Sequence, residues 1–259
     1  MKSITQCCLL AGCICLAVLC GTATYALTSS DHPHKWEKLY LVLEWPVTIC
    51  KMSENDCRDP LMYWTIHGLW PDKADECNRT WHFNISEIKD ILGDMEHYWP
   101  DVLHPNRTKF WKHEWEKHGT CAAVLESLNS QKKYFSKALE LYKEIDLNSY
   151  LVKLRIKPGG TYQMAAIREA LTSVYQVTPK IQCLPPDEGQ LQVIGQIKFC
   201  LTKEFALINC TESKSGSSFA HENNLFKTED LSKCSDTLTD YPSHLRTWEH
   251  FLANTVDIQ

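Results

Sequence analysis

The stretch YWTIHGLWPD, residues 63–72, predicts a strand that ends at a chemically active side chain. Its aromatic and branched residues favour a buried strand, but His67 interrupts them and Gly68 follows at once. A histidine in this setting is usually a structural residue of the core. A strand that reaches a glycine can also end at a cleft, and His67 would then face whatever packs across that cleft. The stretch alone leaves both interpretations open.

The segments around this stretch predict a mixed fold. KLYLVLEW (38–45) and MYWTIHGLW (62–70) are expected strands, and LQVIGQIKFCL (191–201) with EFALINC (204–210) predicts an antiparallel hairpin. The predicted class is therefore α+β: a single domain with a mainly antiparallel sheet, packed with several helices. Helical periodicity occurs in ISEIKDILGDM (85–95), KFWKHEWEKH (109–118), QKKYFSKALELYKEI (131–145) and YQMAAIREALTSVY (162–175).

The chain carries the marks of a secretory route. Met1 and Lys2 precede an apolar run, so residues 1–24 are expected to be a signal peptide and residues 25–259 the mature domain. The residues from about 211 onward are polar and expected to be loose, except for a short helix whose apolar face would be Leu245, Trp248, Phe251 and Leu252. Four N-x-[ST] sequons agree with secretion: Asn78, Asn84, Asn106 and Asn209.

The cysteines predict disulfides rather than metal ligands. Five of the 13 cysteines lie in the signal segment, and an even number remains in a chain expected to be secreted. The remaining eight are Cys50, Cys57, Cys77, Cys121, Cys183, Cys200, Cys210 and Cys234.

The charge excludes tight binding of duplex DNA by bulk phosphate neutralisation. The net charge is −5, no polybasic run is present, and no later segment is long and apolar enough to suggest a membrane span. All 11 histidines lie in the mature part, so their titration could reverse the sign of the protein's charge. We therefore expect a monomer without a membrane anchor, able to bind a polyanion in an acidic compartment.

The segment FWKHEWEKHGTC, residues 110–121, concentrates titratable groups on one predicted helix. His113 and Glu114 open the zinc motif H-E-x-x-H, but the second histidine should lie four positions on, where the chain has Lys117. His118 lies five positions on, about 140° around an α-helix, so we expect no metal site. A solvated polar face is the simpler interpretation of this segment alone.

Facing imidazoles would explain both segments. If His67 lies across a cleft from this helix, one imidazole could remove the proton of a ribose 2′-hydroxyl and the other could protonate the departing 5′-oxygen. A carboxylate and a lysine beside them would stabilise the charge on the phosphorus. That chemistry requires no metal and no cofactor.

TIHGLWPD (65–72) and FWKHEWEKHGTC resemble the two active-site segments of the ribonuclease T2 family, with animal members the most similar. The likeness extends to the WP before Cys50, YWPDV (98–102), GQIKFCL (195–201) and the NCT at Asn209. The resemblance implies a secreted or lysosomal endoribonuclease that cleaves single-stranded RNA by transphosphorylation, with an acidic pH optimum.

The resemblance also implies roles for individual residues. His67 and His118 match the catalytic imidazole pair and Glu114 the catalytic carboxylate, while His113 and Lys117 match residues that hold the phosphate. Three further positions match the base sites: Trp70 by stacking, Asp72 by accepting from a base edge, and Phe110 as an aromatic of the second site. The implied disulfides are Cys50–Cys57, Cys77–Cys121, Cys183–Cys234 and Cys200–Cys210.

Two features of the site stay open at this level. The helix is expected to end at Gly119, so its dipole and Glu114 should favour a charged His118, although a base must be neutral. The division of acid and base roles is therefore undecided. The chain also has Leu43 and Glu44 before Trp45 where family members often carry a glutamine two positions ahead of the tryptophan, which leaves the second base preference undefined.

Two other functions remain as alternatives. A metallohydrolase built on residues 113–118 would lose activity with a chelator, whereas a metal-independent ribonuclease would not. A secreted glycoprotein that keeps the fold but acts by binding a receptor or actin is the second alternative. The presence of all five polar active-site residues disfavours a protein without activity.

Overall fold

The computed structural model describes residues 36–53, 57, 59–105, 107–210 and 230–243. The described residues belong to one compact unit that begins at Trp36. The predicted signal peptide, Asn106 and the predicted helix around Trp248 lie outside these ranges.

A single sheet organises the described residues. Its strands are β1 (Leu39–Glu44), β2 (Thr65–Pro71), β3 (Gly160–Gln163), β4 (Lys180–Leu184), β5 (Gln192–Leu201), β6 (Leu207–Ile208), β7 (Ser232–Lys233) and β8 (Leu238–Tyr241). The central path of the sheet runs β2-β1-β5-β4-β7, β6 pairs with β5, and β8 pairs with both β3 and β5. Every pairing is antiparallel except that of β5 with β8. The predicted α+β class is thus confirmed.

Helices pack against this sheet, and buried apolar side chains of strands and helices form one core cluster. The longest is amphipathic and has the predicted bounds, beginning after Ser130, whose side chain accepts from the amide of Lys133. The segment from residue 85 differs from its prediction, since it begins as a 3₁₀-helix over Ile85–Ile91. The α-helices are α1 (Pro46–Met52), α2 (Leu92–Tyr98), α3 (Lys109–Glu114), α4 (Thr120–Ala122), α5 (Gln131–Ile145), α6 (Leu147–Lys153) and α7 (Met164–Tyr175).

Strand β2 contains a β-bulge at His67. Leu43 of β1 lies opposite Ile66 and Val42 lies opposite Gly68, so His67 is the extra residue of β2. A bulge interrupts the alternation of side chains between the two faces of a sheet and can re-aim one of them. The bulge therefore sets the direction of the His67 imidazole.

The helical segment from Lys109 to Ala122 is continuous but changes its winding. A π-helical turn over Trp115–Gly119 separates α3 from α4, so the expected end at Gly119 is wrong. Gly119 has ordinary helical dihedral angles, and a Cβ at this position would run into the Trp115 ring. The glycine therefore allows close packing of Trp115 instead of ending the helix.

Four disulfides tie the described elements together, and they join the pairs implied by the resemblance. Cys77–Cys121 links the loop after β2 to α4. In the same region the amide of Glu76 donates to the carbonyl of Lys117 at 2.8 Å. The end of the π turn is thereby fixed to the loop that leaves β2.

Part of the polar C-terminal region belongs to the sheet, contrary to the expectation that it is loose. β7 pairs with β4, and β8 pairs with β3 and β5. Tyr241 is buried and its hydroxyl accepts from the indole of Trp64 at 2.9 Å. Only alternate residues of β8 are buried, so the low overall hydrophobicity of this segment concealed a strand.

None of the described helices is long and apolar enough to cross a membrane.

The disulfides differ in the length of chain that they close, which predicts a ranking of stability. Replacing Cys77 and Cys121 with alanine opens a loop of 44 residues, whereas replacing Cys200 and Cys210 opens one of 10 residues. The loss in free energy of unfolding should be about 4 kcal/mol for the first pair and about 3 kcal/mol for the second. Urea unfolding of both double variants measures this difference, and a larger loss for the Cys200/Cys210 variant would contradict it.

Candidate active site

Strand β2 and the helical segment 109–122 bring the two predicted catalytic histidines to a common aromatic ring. Trp70 lies edge-on to His67, with ring centroids 4.9 Å apart, and stacks on His118 at 5.0 Å with an interplanar angle of 29°. His113, Glu114 and Lys117 come from the same helical segment as His118. The sequence-predicted catalytic residues therefore form one cluster.

Glu114 is the buried centre of the cluster. Its Oε2 accepts a hydrogen bond from the indole nitrogen of Trp70 at 2.7 Å, and its Oε1 lies 3.9 Å from His67 Nε2. Burial raises the pKa of Glu114 to about 7, although His67 and the hydrogen bond from Trp70 oppose that rise. Oε1 has no hydrogen-bond partner among the described residues. At acid pH this side chain is a carboxylic acid that can donate a proton in a hydrogen bond.

Gly68 allows strand and helix to approach this closely. A Cβ at this position would overlap both the Trp70 indole nitrogen and Glu114 Oε2. Any larger residue after His67 would break the hydrogen bond that connects β2 to the helix. This explains in physical terms why a glycine follows the histidine.

His67 is buried between two carboxylates. Its Nδ1 lies 3.0 Å from Glu44 Oε2 and 2.7 Å from the side-chain nitrogen of Gln196. Burial lowers the pKa of His67, but the charges of Glu44 and Glu114 outweigh burial and raise that pKa above its ordinary value. His67 therefore tends to hold its proton, as a general acid must.

His118 has the opposite electrostatic environment. Burial lowers its pKa well below the ordinary value, and the neighbouring cations Lys117 and Lys198 lower it further. The expectation that the helix end and Glu114 favour charged His118 is therefore wrong. The helix continues past His118, and Glu114 is directed to Trp70 and His67 instead. His118 Nδ1 is buried without a hydrogen-bond partner among the described residues.

The π turn brings His113 close to His118, with ring centroids 6.4 Å apart. Potential ligand atoms of His113, Glu114 and His118 all lie within 4.8 Å of one another. The helical-wheel reason for expecting no metal site is thus wrong, because residues five apart approach one face in a π turn. However, burial and then the charge of Lys117 lower the pKa of both histidines, that of His113 to about 4. A positive neighbour that disfavours a proton on these imidazoles also disfavours a dication.

The residues predicted at the base sites are placed differently from one another. Phe110 is buried and its ring lies 5.5 Å from that of His67. Asp72 is also buried, but its Oδ1 accepts from the backbone amides of Glu37 and Lys38. Asp72 therefore fixes the start of β1, and its Oδ2 lies 3.9 Å from the Lys73 ammonium.

Sequence reasoning assigned no role to three polar residues beside the cluster: Glu44, Gln196 and Lys198. Glu44 and Gln196 lie directly opposite each other on β1 and β5. The Lys198 ammonium lies 4.8 Å from the centre of the Trp70 ring. Burial, and to a lesser extent the charge of Lys180, lowers the pKa of Lys198 to about 7. The sequence signal for these three residues was a polar side chain within a strongly apolar strand. Burying such a side chain costs free energy unless it is paired, so its presence indicates a partner.

Comparisons with known proteins agree with this architecture. Residues 36–210 match the model of the ribonuclease T2 family. The human protein named ribonuclease T2 is 54% identical over 248 residues, which cover 92% of this chain and 96% of that protein. The crystal structure of human RNase T2 superposes with a TM-score of 0.69 at 55% identity, covering 80% of this chain and 98% of that one.

Two more distant structures contain nucleotides. A variant of RNase MC1, an enzyme of bitter gourd seeds, in complex with 5′-UMP has a TM-score of 0.62 at 28% identity, covering 70% of this chain and 96% of that chain. RNase NT in complex with 5′-AMP has a TM-score of 0.64 at 26% identity, covering 80% of this chain and 98% of that chain. The chain described here belongs to the ribonuclease T2 family and is an endoribonuclease of that type.

Proposed function

We propose that this protein cleaves single-stranded RNA without a metal, by transphosphorylation through a 2′,3′-cyclic phosphate, with His118 as base and His67 as acid. The observation that carries the proposal is the opposite electrostatic environment of the two imidazoles around Trp70. Carboxylates raise the pKa of His67, whereas burial and lysines lower that of His118. An acid and a base that act together need pKa values separated in this direction.

The proton transfers follow from these protonation states. Neutral His118 takes the proton of the ribose 2′-hydroxyl, and the resulting O2′ attacks the adjacent phosphorus. The bond from phosphorus to O5′ breaks, and O5′ takes the proton that His67 carries on Nε2. The products are a 2′,3′-cyclic phosphate and a 5′-hydroxyl end, so atoms and charges balance without a cofactor.

The remaining polar residues of the cluster stabilise the phosphorane. The charge of Lys117 acts on both His113 and His118, and His113 extends the polar surface next to His118. Glu114, whose pKa is about 7, can donate a hydrogen bond from its free Oε1 to a phosphoryl oxygen when it is protonated. Charge that develops in the transition state is thus met by donors that are already in place.

The substrate proposal is a single strand whose bases can leave the helical stack. Trp70 is partly exposed, so its ring is available to stack on a base. Phe110 is buried against the His67 ring at 5.5 Å, so it would meet a base only at the edge of the cluster. Asp72 would contribute through Oδ2, which accepts from neither backbone amide and lies 3.9 Å from the Lys73 ammonium. Nucleotide binding by RNase MC1 and RNase NT supports this assignment. A net charge of −5 disfavours duplex DNA as a partner.

Secretion or delivery to the lysosomal lumen is the proposed location, with residues 1–24 removed as a signal peptide and the protein acting as a monomer. All eight cysteines of the mature part are paired in disulfides, which persist in oxidising compartments. Asn78, Asn84 and Asn209 are exposed and accessible to glycosylation. Asn106, the fourth predicted site, lies outside the described residues.

Product analysis in the presence of a chelator separates this mechanism from metal-dependent hydrolysis. Incubation of the purified protein with a defined oligoribonucleotide at about pH 5 should give a transient 2′,3′-cyclic phosphate, at a rate that excess EDTA leaves unchanged. Mass spectrometry of the fragments identifies the ends. Loss of activity with EDTA and its recovery with zinc would instead assign His113, Glu114 and His118 to a metal.

Single substitutions of the two imidazoles should remove most of the rate. His67→Ala and His118→Ala are each expected to lower turnover about 10² to 10⁴-fold, because each removes one proton transfer. His82→Ala is the matched control, since its side chain is 74% exposed and pairs with Glu116 at 3.4 Å. Initial rates on the same oligonucleotide measure the effect. Full activity of either the His67 or the His118 variant would refute its assigned role.

The cleavage rate should follow a bell-shaped pH profile with its maximum on the acid side of neutrality. As pH falls, activity is lost when His118 gains a proton at its lowered pKa. As pH rises, activity is lost when His67 releases its proton and when Glu114 ionises near pH 7. Initial rates from about pH 3 to about pH 9 give the profile. A maximum above about pH 8 would contradict the assignment of both protonation states.

A further inference from the structure

We infer that Glu44 is a positioning residue for the reaction: its carboxylate accepts the Nδ1–H of His67, keeps that imidazole charged, and holds Nε2–H towards the cleft. This inference rests on the proposed role of His67 as the acid. Glu44 is the last residue of β1 and lies outside both active-site motifs.

The geometry of the pair supports a charge-assisted hydrogen bond. Glu44 Oε2 lies 3.0 Å from His67 Nδ1, and the side chains are only 4% and 6% exposed. A buried carboxylate beside a buried imidazole is stabilised when the imidazole is protonated. The same contact fixes the ring orientation, because Nδ1 and Nε2 lie on opposite sides of the ring. Nε2 is then directed to the side of Glu114, 3.9 Å away.

Gln196 contacts the same ring nitrogen of His67 and would stabilise the neutral imidazole instead. Its side-chain nitrogen lies 2.7 Å from His67 Nδ1 and can donate to it only when Nδ1 carries no proton. That arrangement stabilises a neutral imidazole with its proton on Nε2, which is a far weaker acid than the imidazolium. Glu44 therefore decides which of the two states predominates, since an amide cannot replace its charge.

Other groups around His67 act on the same equilibrium. On the helical segment, the charge of Glu114 raises the pKa of His67. The positive charge of His67 in turn lowers the pKa of His113 and of His118. Lys198 of β5 opposes the proton. The uncharged rings of Trp70 and Phe110 complete the surroundings. Of the two carboxylates, only Glu44 lies within hydrogen-bond distance of a His67 nitrogen. Removing Glu44 should therefore lower the pKa of His67 more than removing any other of these groups would change it.

The prediction is that Glu44→Gln moves the alkaline limb of the pH–rate profile to lower pH by about one unit or more, with the acid limb unchanged. The rate on the acid plateau should stay within several-fold of the wild type, since His67 is still protonated there. Glu140→Gln is the control: it removes the same charge from a surface pair with Lys137 and should leave both limbs in place.

A second variant separates charge from general disruption. In Glu44→Gln combined with Gln196→Glu, the carboxylate returns to His67 Nδ1 from the opposite strand, because residues 44 and 196 are cross-strand neighbours. This double variant should restore the alkaline limb of the wild type. Thermal unfolding monitored by circular dichroism shows that each variant is folded before its profile is compared.

Nitrogen NMR of ¹⁵N-histidine-labelled protein tests the inference independently of catalysis. The His67 signals, assigned with a His67→Gln variant, should show a protonated Nδ1 and should titrate at lower pH in Glu44→Gln. If titration and tautomer are the same as in the wild type, or if the double variant fails to restore them, the inference is overturned. If the His67 titration shifts while the alkaline limb does not, Glu44 still holds His67 but His67 is not the acid, so the proposed function fails instead.

Discussion

The close approach of strand β2 to the helical segment 109–122, with the Glu114 carboxyl group buried between them, is the constraint on which the site depends. A carboxyl group with no exposed surface is stable only when it is hydrogen-bonded or protonated, and here the Trp70 indole supplies the hydrogen bond. Gly68 permits the contact, because any side chain there would occupy the same space. The carboxyl group in turn sets the position of Trp70, and Trp70 lies against both imidazoles.

Both proposed catalytic histidines occur at irregularities of regular secondary structure. His67 is the extra residue of a β-bulge, and His118 lies in a π-helical turn. Each irregularity leaves the normal hydrogen-bond pattern locally incomplete, which is tolerated when the surroundings support it. Here the support comes from tryptophans: Trp99 donates to the carbonyl of His67, and Trp115 donates to the carbonyl of Trp81. Each of these hydrogen bonds ties one irregular segment to a residue outside it.

Electrostatic asymmetry follows from which strands and helices surround each histidine. The end of β1 carries Glu44 to the Nδ1 side of His67, so carboxylates lie on both sides of that ring. His118 instead shares its helical turn with Lys117 and is influenced by Lys198 of β5. Two identical side chains thereby acquire pKa shifts of opposite sign. Burial lowers the pKa of both imidazoles, and only at His67 do neighbouring carboxylates outweigh it.

The sequence by itself determined the fold class, several of the elements and the family. Helix Gln131–Ile145 follows from its apolar periodicity, the β5–β6 hairpin from alternation, and the family from two motifs whose residues meet in space. Local patterns suffice for these features because hydrogen bonds within a helix and side-chain alternation along a strand depend on neighbouring residues. The strands β7 and β8 were missed because their pairing partners, not their own composition, make them strands.

Only the tertiary structure decided the winding of the helical segment 109–122 and the directions of the histidine pKa shifts. A helical wheel assumes uniform winding and so separated His113 from His118, whereas the π turn brings them together. The direction of the His118 pKa shift was likewise reversed by burial and by a lysine 80 positions away in the chain, Lys198. Neither effect is written in a local pattern, because desolvation and cross-strand contacts arise from residues that become neighbours only when the chain folds.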